Sequence, residues 1–178
     1  MKSPRISIIV ATDEENGIGK DDKIPWHIKK DLVKLSLMTR GKVTVVGDRS
    51  YNSMANYYDI SGRPMPAKEY IVISLDKNFK SKRNNTFAVN SIQEALDRIK
   101  KSKEDEVFVI GGASIYKQMI EFADRLYMTI VKGKFNCDTF FPGYSNFKKV
   151  ISSEVDSDEG YNFVTIVLDR EPFSSYKV

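Results

Sequence analysis

The sequence predicts an α/β fold, a mixed and mostly parallel sheet flanked by helices and finished by an antiparallel C-terminal hairpin. Three observations point to it. Short β-rich runs at residues 5–12, 43–47, 70–74, 86–89, 106–110 and 125–131 alternate with segments of helical spacing, as in chains whose parallel strands are joined by crossover helices. Val107-Phe108-Val109-Ile110 is apolar throughout, as expected of a strand whose sheet is covered on both faces. After Val131 the pattern changes: residues 148–156 and 161–170 are two strand-like runs joined by the acidic, glycine-containing turn Ser157-Asp158-Glu159-Gly160.

A chain of 178 residues suits one buried core better than two, so a single domain over residues 1–178 is expected. With 41% apolar and 29% charged residues it falls among soluble globular chains. No run of 18 apolar residues occurs, and Met1 to Arg5 lead directly into a strand-like run at 6–11, which argues against a membrane span and a secretory leader. Cys137 and His27 are the only residues of their kinds, so neither an internal disulfide nor a histidine-rich metal site nor a Ser-His-Asp triad is expected. A reducing cytoplasm fits, with no metal. The net charge of +4 comes from Lys and Arg residues interleaved with acids, as in Lys103-Glu104-Asp105-Glu106, without the aromatics of a single-strand nucleic-acid groove. No nucleic-acid partner is expected, and a monomer is.

Taken in order, the first strand is followed by Asn16-Gly17-Ile18-Gly19-Lys20-Asp21-Asp22-Lys23-Ile24-Pro25-Trp26. This polar loop reads as a cover for a ligand or as an ordinary strand-to-helix connection with Trp26 in the core. His27, at a helix start, reads as a surface or capping residue. In that helix Ile28, Leu32 and Leu35 share one face, and Asp31 lies on it. The helix dipole favours an acid there whichever way it points, but an inward carboxylate needs a cationic or hydrogen-bond-donating partner. Gly47-Asp48-Arg49-Ser50 and Gly111-Gly112 each stand where a strand runs into a helix, so backbone N–H groups there can face a phosphate. Paired glycines also serve tight turns, and the six-residue dinucleotide fingerprint is missing. Residues 57–68, with Gly62, Pro64 and Pro66, read as a loop. Ser91-Ile92-Gln93-Glu94 reads as a capping box opening a helix through Ile99. Cys137-Asp138-Thr139-Phe140-Phe141-Pro142 lacks metal-ligand spacing and reads as a loop.

Several of these pieces, in this order, resemble the dihydrofolate reductase family from Ile6 to about Arg170. They are Ile9-Val10-Ala11, Gly17-Ile18-Gly19, Pro25-Trp26, Asp31-Leu32, Gly47 through Met54, Gly62-Arg63-Pro64-Met65-Pro66, Ile110-Gly111-Gly112, Tyr116, Leu126-Tyr127-Met128-Thr129, and Asp138-Thr139 with Phe141-Pro142. Pro-Trp followed by Asp five residues after the Trp is the most specific element. The resemblance implies an eight-stranded mixed sheet with four main helices and an antiparallel last strand. It also implies an NADPH-dependent oxidoreductase that reduces 7,8-dihydrofolate to tetrahydrofolate for one-carbon metabolism and nucleotide synthesis.

By that resemblance Asp31, Ile24, Trp26 and Thr129 carry catalysis. Asp31 would bind the pterin at its 2-amino group and N3, with Thr129 completing the network. Hydride would pass to pterin C6, and N5 would take its proton from water, because Asp31 at the amino edge cannot reach it. Asp31 would then act by orientation and polarisation. Ile9, Val10, Ala11, Leu32, Leu35, Ser53, Met54, Arg63, Lys68 and Ile110 would surround the substrate. Ala11, Ile18, Gly19, Gly47, Asp48, Arg49, Ser50, Ile73, Ser74, Ile110, Gly111, Gly112, Ala113, Ser114, Ile115, Tyr116 and Thr139 would hold NADPH, with the loop 16–24 over its nicotinamide.

Four departures from the family pattern stand out. Leu35 replaces the usual Phe. Lys68 replaces an Arg that grips the α-carboxylate of the glutamate tail, a bidentate contact Lys cannot reproduce. Asp48 stands where a basic residue often meets the 2′-phosphate, leaving Arg49 as the cation expected to preserve the NADPH preference. Residues 55–61 add length before Gly62-Arg63-Pro64. Two alternatives stay open: a reductase of another pteridine or pyrimidinone on the same fold, which Lys68 keeps alive and Asp31 opposes, and a non-catalytic scaffold.

Overall fold

β1 (Arg5–Asp13) runs through the middle of the sheet because it offers no face to water: Ile6, Ile8 and Val10 enter the main core, while Ala11 packs on a second cluster built around Trp26 and Ile28. The computed structural model describes residues 3–171. After β1 come β2 (Gly17–Gly19), α1 (Lys29–Thr39), β3 (Val43–Gly47), α2 (Asp48–Ser61), β4 (Glu69–Ile73), β5 (Thr86–Val89) and α3 (Ile92–Lys101). β6 (Glu106–Val109), α4 (Ala113–Met119), a 3-10 turn at Ile120–Phe122, β7 (Arg125–Val131), β8 (Thr139–Phe140), β9 (Lys149–Asp158) and β10 (Tyr161–Asp169) complete the order.

Eight strands form one sheet in the order β5-β4-β3-β6-β1-β7-β10-β9. Every neighbouring pair from β5 to β7 is parallel, and β10 lies antiparallel to both β7 and β9. The expected class and the antiparallel hairpin are therefore both present. β3 is buried at all five positions and β6 at three of four, in keeping with sequences that are apolar but for Thr44 and the leading Glu106. The main core joins β1, β3, β6 and β7 to α3 and α4, and a smaller cluster seats α2 on β3 and β4 through Tyr51, Tyr70 and Val72. Among the described residues no helix is long and apolar enough to cross a membrane.

Several boundaries differ from the expectation for identifiable reasons. Residues 57–61 are not loop: α2 continues through them to Ser61, and Gly62 ends the helix in the left-handed region at φ 66°, its N–H donated to the Asp59 carbonyl. The 157–160 turn is shorter than expected, because Ser157 and Asp158 still pair with Asn162 and Tyr161. Only Glu159 and Gly160 turn the chain, both at positive φ as a two-residue hairpin loop demands. In the capping box the Ser91 hydroxyl accepts the Glu94 N–H at 3.2 Å, but the Glu94 carboxylate accepts from Asn90 rather than from Ser91. β2 and β8, the small second sheet, lie in segments expected to be loops. Ser74 and Ile110 fall just beyond β4 and β6.

Candidate active site

Two strand registers fix the position of Thr129. It pairs with Ala11 of β1 and with Thr165 of β10, so it sits between the sheet's central strand and its antiparallel edge. Its hydroxyl donates to Asp31 Oδ1 at 2.6 Å across 98 residues of sequence. Among the described residues Oδ2 has no hydrogen-bond partner. Burial pushes the Asp31 carboxyl above its ordinary value of 3.8, with the Thr129 hydroxyl and the Lys34 ammonium pulling the other way. A half-buried carboxylate with one committed oxygen retains acceptor capacity on the other.

The helix that carries Asp31 is anchored from outside. Ile28, at its N-cap, has no side chain able to accept an N–H, and the orphan Lys30 N–H is taken instead by Asp158 Oδ2 at 2.8 Å. Asp156 on the same strand holds the Lys30 ammonium with both oxygens, at 2.7 and 2.9 Å. The β9–β10 hairpin thus caps α1, a role the sequence did not reveal. The expected apolar stripe of α1 is only partly buried: Ile28 is 2% exposed, Leu35 is half-buried and Leu32 is 38% exposed.

A second feature lies where β3 and β6 end side by side. The Gly47 N–H donates to the Gly111 carbonyl at 2.7 Å, locking together the turns that open α2 and α4. The junction has no room for side chains. A Cβ on Gly47 would stand 3.0 Å from Ile115, one on Gly112 2.9 Å from the Ser50 hydroxyl, and one on Gly111 2.9 Å from the Tyr116 ring. Backbone is therefore the surface on offer, at the start of two helices whose first N–H groups have no intrahelical acceptor. These residues fit a cofactor that needs close approach to backbone and phosphate-binding N–H groups. Tyr116 lies under the turn and not on its open side: its hydroxyl donates to the Ile9 carbonyl at 2.8 Å, and burial, then the Asp31 charge, keeps its phenol protonated far above the usual range.

The other expected site residues take the following places in the fold. Ser74 is 2% exposed and spends its hydroxyl on the Asp48 carboxylate, and Ile73, Ile115 and Val10 are buried core residues. Asp48 does not face outward as a lone charge, because its other oxygen accepts the Arg49 N–H at 2.6 Å. Lys68 is already paired: its ammonium sits on Glu104, whose second oxygen lies 3.8 Å from Lys42. Ile24 is 62% exposed, whereas Trp26 is buried and meets Phe135 edge-on at 5.2 Å. Ile18 packs on the main core, Met54 and Ile110 pack on the α2 cluster, and Thr139 donates to Asp138 at 2.8 Å. Ser53, Arg49, Ser114 and Arg63 are exposed, the last donating to Tyr57 at 2.9 Å, and His27 is exposed as expected. Glu104 and Asp13, both tied to these elements, were not foreseen. An acid at a strand end reads in sequence as a turn residue.

Residues 5–170 match the family model described as dihydrofolate reductase. The dihydrofolate reductase of Bacillus subtilis is 36% identical over 158 residues, covering 86% of each chain. That of Staphylococcus haemolyticus is 32% identical over 157 residues, covering 87% of this chain and 88% of its own. Among solved structures, dihydrofolate reductase from Enterococcus faecalis complexed with NADP(H) and RAB-propyl superposes with a TM-score of 0.81 at 25% identity, covering 96% of this chain and 98% of its own. The protein therefore belongs to the dihydrofolate reductase family.

Proposed function

We propose that this chain reduces 7,8-dihydrofolate with NADPH, in the supply of tetrahydrofolate for one-carbon chemistry, and that it does so as a single-domain monomer in the cytoplasm. The observation that carries the reading is the Asp31 carboxylate, held on one oxygen by Thr129 of β7, in a fold whose β3 and β6, on the other side of β1, end in a glycine junction built for close approach. Asp31 Oδ2 takes the donor edge of the pterin, and the Thr129 hydroxyl keeps the carboxylate from rotating. Fixing that edge orients the ring and polarises it towards reduction. Gly47, Gly111 and Gly112 let the cofactor's phosphates approach backbone, and NADPH when bound supplies the hydride. Steady-state oxidation of NADPH with and without dihydrofolate tests the reading. Turnover with another pteridine or pyrimidinone alone would move the chain to a different reductase, and none at all would make it a scaffold.

Arg49 is exposed at the first turn of α2 while Asp48 is turned to Ser74, so Arg49 supplies the charge for the 2′-phosphate. An exposed pair at about 4 Å is worth about 1 kcal/mol. Arg49→Ala is expected to weaken NADPH binding about fivefold and leave NADH unchanged, as measured by the dissociation constants of both at fixed salt.

Glu104 competes with the substrate's glutamate tail for Lys68. Glu104→Gln is expected to lower the KM for dihydrofolate about two- to fivefold and Lys68→Ala to raise it by a similar factor, with kcat little changed in both, the pattern of altered uniform binding. An unconjugated dihydropterin should respond to neither. Equal effects on tailed and tailless substrates would remove Lys68 from the tail site.

A further inference from the structure

Asp13 ends β1 as a carboxylate only 2% exposed, and its hydrogen-bond partners are three backbone N–H groups and one thiol. Oδ1 accepts from Glu15 at 2.9 Å and Gly17 at 2.7 Å, and Oδ2 accepts from Phe135 at 3.3 Å and the Cys137 thiol at 3.6 Å. Burial pushes this carboxyl up, but the N–H bonds of Gly17, Glu15 and Phe135 outweigh it and hold it below its ordinary value. Asp13 is therefore anionic at neutral pH. Its donors come from two segments far apart in sequence, the loop after β1 and the stretch after β7.

The joint is tight. A Cβ on Gly17 would lie 2.5 Å from both Cβ and Sγ of Cys137 and 2.9 Å from Asp13 Oδ1. Further along, the Asp138 N–H donates to the Gly19 carbonyl at 3.0 Å and the Asp138 carboxylate accepts the Asp21 N–H at 2.9 Å, so the loop is tied at its base and again at its far side. Phe135, whose N–H Asp13 holds, carries the ring that meets Trp26.

We propose that Asp13 is a positioning residue for the reduction: its buried carboxylate latches the base of the loop 14–24 to residues 133–137 and so sets where Ile18, Gly19 and Ile24 stand against bound cofactor. The proposal rests on the functional reading above. Buried N–H groups that lose their acceptor drive a segment towards water, so releasing the latch releases both segments together. Asn at position 13 keeps one acceptor for the shorter bonds from Glu15 and Gly17. It turns an NH2 group towards the Phe135 N–H and the Cys137 thiol, donor against donor, and breaks the tie at that side alone.

Asp13→Asn is tested by backbone amide exchange, by emission of Trp26, the only tryptophan in the sequence, and by cofactor binding without turnover. Expected are cooperative unfolding like the parent's, at least tenfold faster exchange of the Phe135 amide, a shifted Trp26 emission, and NADPH binding weakened fivefold or more with the KM for dihydrofolate within twofold. Gly17→Ala, whose new methyl group pries the same joint apart without touching the charge, is expected to act in the same direction. It decides the matter if the Asn variant does not fold. Unchanged exchange at Phe135 in a folded variant overturns the latch, and so does faster exchange with NADPH affinity within twofold of the parent. A parent enzyme inactive with dihydrofolate instead overturns the functional reading, and exchange and emission still report on the latch.

Discussion

Asp31→Asn is expected to give a folded protein, more stable than the parent at neutral pH, whose turnover is lower by a factor of about a hundred or more. The amide oxygen still accepts the Thr129 hydroxyl, so the local geometry survives; the negative charge facing the pterin edge does not. Loss of a preorganised electrostatic contact of this kind costs about 2.7–4 kcal/mol of barrier. The stability change has the opposite sign. Burial raises the Asp31 pKa on folding, so the folded state holds the proton more tightly than the unfolded chain. Ionisation therefore costs stability as pH rises from the ordinary value of 3.8 through the folded value, and that cost is fully present above it. Asn has no such cost. Denaturant unfolding should show the variant ahead of the parent at pH 7, with the gap closing below pH ~3.8 as Asp31 becomes neutral in both states. Parent-like turnover at neutral pH in the pure variant would falsify the role given to Asp31.

Gly111→Ala is expected to weaken NADPH binding at least tenfold and to lower Tm by about 10 °C. Two independent costs add. At φ 105° the residue lies where an L side chain is strained by about 1–3 kcal/mol, and a methyl group 2.9 Å from the Tyr116 ring adds about 1–3 kcal/mol of overpacking. Tyr116 cannot yield, since its hydroxyl is bound to Ile9 and its ring meets Phe141 edge-on at 5.1 Å. The strain is passed to α2 through the bond from the Gly47 N–H to the Gly111 carbonyl. Gly143→Ala is the control, because a Cβ there meets nothing within 4 Å. Calorimetry and equilibrium cofactor binding check both variants, and a Gly111→Ala protein with the parent's Tm and affinity would mean that the junction is slack.

Elements with a long enough apolar pattern were legible before any coordinates. β3, β5 and β7 have the bounds their sequences suggest, and the hairpin follows from two runs around a glycine turn. β2 and β8 were not legible, because strands of three and two residues have no period to read. The extension of α2 over Tyr57 to Ser61 was masked by Gly62, Pro64 and Pro66, which punctuate the chain just after it. In the site, Asp31 was visible from its place on a helix face. Thr129 came only through the family resemblance, since no periodicity links residues 98 apart. The partners of Asp48, Lys68 and Asp13 were hidden for the same reason: a carboxylate's sequence position says nothing about which distant N–H or ammonium it meets.

The capping of α1 by Asp158, with Asp156 on the Lys30 ammonium, bears on the order in which the molecule is completed. The helix that presents Asp31 leaves the ribosome early, but the carboxylate that caps its first turn is made 128 residues later, and the one that holds the Lys30 ammonium 126 residues later. β10, which pairs with Thr129 on β7, is made later still. A nascent chain stopped short of the hairpin has its central parallel strands and lacks both the cap and the strand that fix Asp31 opposite Thr129. Contacts of such long sequence separation form late and slow folding. The Asp31–Thr129 pair is thus completed only once β9 and β10 have been made, and its formation marks a polypeptide synthesised through β10.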